Sequence, residues 1–237
     1  MESSGKIVVV GSYIVALVME TERLPQAGET LVGRGYHSAY GGKGSNQAVQ
    51  AARLGGRVEL LTRIGKDAAG EEFLRLCRRE GISDRYVGCD PEAPTATGFI
   101  ICSAAAQNII TIDIGALARI SKKHVNRALE SVAAGDVVLL QFEIPVEMAL
   151  YAAEVAHRKK AVVVLNPAPA HDLSVVDLSM VDYLTPNETE ARVCLGLPPS
   201  DPESEERLAG RLLEKGCRNV LVTLGERGAL LCNRDGC

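Results

Sequence analysis

The sequence predicts an α/β domain: a doubly wound, mostly parallel sheet with helices on both faces and a small inserted antiparallel β lid. Three observations carry this. Short aliphatic runs such as Lys6–Val10, Val137–Leu140 and Ala161–Leu165 recur along the chain. Segments with apolar residues at helical spacing alternate with them. Within Val137–Leu140 and Ala161–Leu165 successive residues are apolar, which reads as strands buried on both faces between helix layers.

The elements follow in order. Lys6–Val10 is β-branched and ends at Gly11-Ser12, and Lys43–Leu54 is an Ala-rich helix that stops at Gly55-Gly56. Val58–Leu61 is the next strand. Asp67 can cap a helix that carries Phe73, Leu76 and Cys77 on one face and stops at Gly81. Pro145 suits the first turn of a helix running to about Lys159. Ser204 can cap a last helix, with Leu208 and Leu212 at helical spacing, ending at Gly216. Val181–Leu184 and Val220–Thr223 complete the core strands. Two regions, within about 13–40 and 96–114, break this rhythm. Glu29–Tyr40 reads as a strand, and Thr97–Cys102 and Asn108–Ile114 read as two more joined by a short turn. Phe99, Ile101, Ile110 and Ile112 make this lid too apolar to stand alone. The main domain is expected to cover one of its faces and another subunit the other.

The chain has 237 residues, 46% hydrophobic and 24% charged, which is enough to bury the core of one α/β domain spanning 1–237. A net charge of -4 leaves no basic footprint for nucleic acid or anionic lipid. Trp is absent and aromatics are 4%, which argues against stacking platforms for single strands. No apolar run reaches the roughly 18 residues of a membrane span. The first residues have no signal-peptide anatomy. Seven cysteines without a C-x-x-C pair read as reduced thiols of a cytoplasmic protein. Gly228–Cys232 is strand-like and leads into Asn233-Arg234-Asp235-Gly236, a hairpin turn followed only by Cys237. The return strand is missing, so the domain is expected to be incomplete at its C-terminus; a flexible tail is the alternative.

Polar, Gly or Pro clusters follow most core strands: Gly11-Ser12, Gln141-Phe142-Glu143, Asn166–Pro169, Thr185–Glu190 and Thr223–Gly228. Ligands bind open α/β sheets at the carboxyl ends of strands, so these clusters predict one extended cleft. Gly41-Gly42-Lys43-Gly44-Ser45-Asn46 has neither Walker A nor G-x-G-x-x-G spacing. Its glycines let backbone N–H groups approach an anion or hydroxylated ligand, Lys43 adds charge, and Asn46 can donate and accept. A tight turn with a solvated lysine would give the same pattern. Glu143 could accept hydrogen bonds from sugar hydroxyls or simply precede a helix. Asn187 and Glu190 have capping-box spacing, which could also gather metal-bound water and phosphate. Thr223–Gly228 is either a close backbone approach for a nucleotide or a glycine turn. The four histidines, at 37, 124, 157 and 171, share no motif and read as surface or satisfied residues.

Gly41–Gln47 (GGKGSNQ), Asn166–Ala170 (NPAPA), Thr185–Ala191 (TPNETEA) and Thr223–Gly228 (TLGERG), in this order, resemble the ribokinase-like, PfkB-type carbohydrate kinases. Ile64-Gly65-Lys66-Asp67, continuing to Gly70-Glu71, is similar too. The resemblance implies ATP-dependent phosphorylation of a primary sugar hydroxyl with Mg²⁺, and leaves K⁺ open as a further cofactor. It implies that Gly41, Gly42, Lys43, Gly44, Asn46 and Glu143 bind the sugar. Asn187, Thr223, Gly225 and Gly228 would bind the nucleotide, Glu190 and Asn187 would serve the metal, and the lid would clasp a homodimer. Ile14, Ala16 and Leu117 stand where the family usually has Asn, Asp and Asn. Lost hydrogen bonds of about 0.5–1.5 kcal/mol each then predict a less hydroxylated or differently shaped sugar than ribose. The family's Gly-Ala-Gly-Asp segment, with the catalytic base, would lie beyond Cys237, so residues 1–237 alone are expected to be inactive. Alternatives are a nucleoside or sugar-phosphate kinase, or a non-catalytic sugar- or nucleotide-binding protein.

Overall fold

The computed structural model describes residues 5–237. Strand β1 (Lys6–Val10) runs through the core and stops at Gly11. The chain then leaves the core as β2 (Ile14–Thr21) and β3 (Arg34–Gly41) and returns through helix α1 (Lys43–Arg53). Gly42 makes that return possible: its φ of 92° is left-handed, and a Cβ there would lie 2.8 Å from Ile14 N. Strand β4 (Arg57–Gly65) leads to α2 (Ala68–Glu80), which Asp67 caps by accepting Gly70 N–H at 2.8 Å and Gly81 ends at φ 70°. Next come β5 (Val87–Asp90), β6 (Thr97–Ser103) and β7 (Asn108–Asp113).

Helix α3 (Lys122–Leu129) starts at Ser121, whose N–H is received by the His124 ring at 3.1 Å. Strand β8 (Val137–Leu140), helix α4 (Val146–Arg158) after Pro145, and β9 (Val162–Leu165) form one βαβ unit. Strand β10 (Tyr183–Leu184), α5 (Glu188–Cys194), α6 (Glu205–Glu214), β11 (Asn219–Thr223) and β12 (Ala229–Asn233) close the chain. Among the described residues the main sheet has the order β12-β11-β10-β9-β8-β1-β4-β5. Every neighbouring pair in it is parallel except β11–β12. One core joins Val8, Val10, Leu140 and Leu165 to Leu129, Ala152 and Leu212 from the helices of one layer; a second joins Val9 and Leu60 to Ala48, Phe73 and Leu76 from α1 and α2.

Four expectations need correction. The lid is mixed rather than antiparallel: β3–β2 and β6–β7 are antiparallel, but β2 and β6 run parallel from Val15↔Thr97 to Thr21↔Ser103. Both β2 and β6 leave the core from the same edge, which dictates this direction. Its β3 begins at Arg34, not Glu29, because Glu29 closes a turn with Gln26 N–H and Arg23. Strands β8 and β9 are not buried on both faces; Val138, Leu140, Val163 and Leu165 are buried, whereas Val137, Leu139, Val162 and Val164 are partly open because the α1 and α2 cluster reaches no further than Leu139. Finally, Cys232 and Cys237 form a disulfide, since the turn between Asn233 and Gly236 brings their Cα atoms to 4.0 Å. Cys77, Cys194 and Cys217 are buried free thiols, and burial pushes each up to about 12. Among the described residues no helix is long and apolar enough to cross a membrane.

The lid is rooted in one short stretch. Asp67 accepts Thr95 N–H and Thr95 Oγ1–H, both at 2.7 Å. Val15 N–H donates to Ala96 O at 2.9 Å and Ala116 N–H to Pro94 O at 2.8 Å.

Candidate active site

The ends of β1 and β8 and the start of α1 meet around one carboxylate. Glu143 Oε2 accepts Lys43 N–H at 2.6 Å and Ser12 Oγ–H at 2.5 Å, and Ser12 Oγ accepts Gly44 N–H at 3.3 Å. The bonds to Glu143 are charge-assisted, and the N-terminus of an 11-residue helix favours the negative group. This close approach needs glycine at 44, where a Cβ would fall 2.4 Å from Ser12 N. Asn46 sits in the first turn of α1 and is exposed.

Beside Glu143 a cavity of about 360 Å³ opens beneath the lid. Ile14, Ile112, Ile114, Phe142 and Ile144 line it, with His171 set edge-on to Phe142 at 5.6 Å. Ile14 thus takes a place on the wall of this cavity. Ala16 pairs with Ala39 and Gly98 in the lid, while Leu117 is fully buried in the core.

The second cluster lies further along the same rim. Thr223 N–H donates to Pro186 O at 2.9 Å, and Asn187 bridges Thr223 in parallel. Asn187 Oδ1 accepts Glu190 N–H at 2.7 Å while Glu190 Oε2 accepts Asn187 N–H at 2.8 Å, a closed capping box. Gly225 and Gly228 have φ of 56° and 88°, conformations that favour glycine in the turn after β11. Arg227 ties this turn to Glu188 at 2.5 Å and Glu205 at 3.1 Å. Loops bridge the two clusters: Asn166 Nδ2 donates to Thr185 O at 2.7 Å, and Phe142 N–H donates to Ala168 O at 2.9 Å. Strands β8 and β10, which lead to Glu143 and Asn187, are separated only by β9 and so lie roughly 10 Å apart.

The sequence reading missed the roles of Ser12, Gln47, Gln141 and His171. Ser12 and Gln141 directly follow core strands and Gln47 stands one helical turn after Lys43, signals that could have found them. No pattern in the sequence marks His171. Among the described residues no three His, Cys, Asp or Glu side chains converge as a metal cage. Mg²⁺ takes one or two carboxylates and otherwise substrate phosphates and water, a demand that Glu190 and Asn187 at the rim can meet.

A lidded α/β sheet with a carboxylate under the lid and a glycine turn and helix cap beside it defines a two-substrate site of the sugar-kinase type. The chain belongs to the pfkB family of carbohydrate kinases, whose model matches residues 4–237. It is 36% identical to the ribokinase of Haemophilus influenzae over 96% of this chain and 74% of that one. It is also 36% identical to the deoxyribokinase of Salmonella typhi, over 97% and 75%. The Arabidopsis thaliana ribokinase solved with ribose and ATP superposes with a TM-score of 0.83 at 28% identity, covering 99% of this chain and 76% of that one. The chain thus spans about three quarters of the length of these relatives.

Proposed function

We propose that this carbohydrate kinase takes a sparingly hydroxylated sugar between Gly41–Gly44 and Glu143, under the lid, and ATP along Asn187 and Thr223–Gly228. The γ-phosphoryl group passes to a primary hydroxyl of the sugar. One observation carries the reading: Glu143, fixed by Lys43 N–H and Ser12, borders the cavity between rim and lid. That carboxylate accepts sugar hydroxyls and orients the acceptor, which is most of what phosphoryl transfer asks of a protein. Lid closure excludes water from the transferred group. Gly225 and Gly228 let backbone approach the nucleotide, and Asn187 with Glu190 would hold Mg²⁺, which neutralises phosphate charge when bound. Glu143 already receives two donors, so it positions the sugar rather than taking its proton.

The cavity wall also bears on the acceptor. Ile14, Ile112 and Ile114 offer no hydrogen bond, so each hydroxyl turned toward them loses its water without replacement. A deoxy-sugar avoids that loss. Phe99, Ile101 and Ile109 alternate onto the lid face turned away from Ile112, and Phe99 is 58% exposed. This face suits a second copy of the chain, as a homodimer.

Titration calorimetry with 2-deoxy-D-ribose and D-ribose tests the site. Glu143→Gln should weaken sugar binding by about tenfold or more, the worth of a charged hydrogen bond. Ile14→Asn should shift preference toward D-ribose by roughly fivefold. Unchanged sugar affinity in Glu143→Gln would overturn the reading.

A further inference from the structure

Two side chains from the end of β8 reach α1 through separate contacts. Glu143 takes Lys43 N–H at 2.6 Å, and Gln141 Nε2 donates to Gln47 Oε1 at 2.5 Å. Lys43 and Gln47 stand four residues, about 6.0 Å, apart along α1, and each meets one of these side chains, so the two contacts form rungs along the helix.

Gln141 is a costly residue for this place. It is 0% exposed, and its Oε1 has no hydrogen-bond partner. That oxygen lies against Gly11, where a Cβ would come within 2.0 Å of it. An unmet buried carbonyl destabilises the fold, and a leucine would fill similar space without one. Core stability therefore does not account for Gln141, whereas the bond to Gln47 does.

We propose that Gln141 is a positioning residue: with Gln47 it fixes the height and rotation of α1 against β8, so that Lys43 N–H holds the Glu143 carboxylate ready for the sugar. This rests on the sugar-kinase reading for its consequence in binding, but not for its geometry.

The test uses Gln141→Leu in the whole chain, with three readouts: thermal melting, amide exchange at Lys43, and binding of 2-deoxy-D-ribose, D-ribose and ATP. The expected result is an unchanged or raised melting temperature together with about tenfold faster exchange at Lys43. Affinity for whichever sugar the unaltered chain binds should fall by roughly fivefold, with ATP binding unaffected. Gln47→Leu should reproduce the faster exchange and the weaker sugar binding, with a lower melting temperature because it leaves the buried Gln141 amide unpaired, and the double variant should add little to the exchange and affinity changes; Gln47→Leu also serves alone if Gln141→Leu does not fold. Unchanged exchange at Lys43, or equal losses of sugar and ATP binding with a lowered melting temperature, would overturn the proposal. Should the unaltered chain bind neither sugar, the sugar-kinase reading fails, while exchange at Lys43 still decides the rungs.

Discussion

The two faces of the main sheet are built from the same residue types and fare differently. Across one face, Val10, Leu140, Leu165 and Leu184 stand in register, each at most 1% exposed beneath a continuous helix layer. Across the other, Val9, Leu139, Val164 and Tyr183 are equally in register, yet exposure climbs from 0% at Val9 to 42% at Tyr183. Leu231, two strands further, is 48% exposed. Helices α1 and α2 cover only the part near β1 and β4. Burial is decided by which helices lie overhead, and the aliphatic character of a strand only makes it available.

Truncations at the covered and the uncovered end of that second face should expose this contrast most strongly. Phe73, stacked on Tyr13 at 3.9 Å between α2 and the sheet, should cost about 3–5 kcal/mol as Phe73→Ala in urea unfolding. Leu221→Ala, on the open face, should cost only about 1 kcal/mol; equal losses would break the comparison. A smaller effect concerns the covered end. Burial pushes the Asp67 carboxyl up, but hydrogen bonds from Thr95 and Gly70 outweigh it and hold the group below its ordinary value. Its stabilisation is therefore complete above the unfolded value of about 3.9 and fades as pH falls through the lowered folded value. Asp67→Ala should cost about 1–2 kcal/mol at neutral pH, shrinking in acid; a penalty independent of pH would refute this. Smallest is Lys160, which joins α4 to β9 at a left-handed φ of 62°. Lys160→Gly should gain about 0.5–1 kcal/mol by thermal or urea unfolding, and a loss would show that the lysine side chain contributes there.

Helix boundaries were legible where local chemistry sets them, as at Asp67, Gly81, Pro145 and Ser204. Helix α3 and strand β5 were not, because α3 depends on a histidine in its cap and β5 on a partner strand. The two-sided burial read into Val137–Leu140 failed because a run of valines and leucines does not say how far a distant helix extends. Of the residues proposed for the site, the glycine loop, Glu143 and the Asn187–Glu190 cap stand out in the sequence by position after strands or before helices. The contacts among them did not, since Ser12–Glu143 and Gln141–Gln47 join residues 131 and 94 positions apart. The lid's strands could be seen in the sequence, but the parallel pairing of β2 with β6 could not, because pairing direction depends on where both strands leave the core.

The cluster at Pro94, Thr95 and Ala96 has a mechanical meaning. Since Val15, Ala116 and Asp67 all fasten to these three neighbours, β2, β6 and β7 share one anchorage at the base of the leaf. Gripped at that end, the leaf has its freest reach at the far tips of β6 and β7, while the bulk of Ile112 and Ile114 near the anchorage limits how tall a guest can pass beneath.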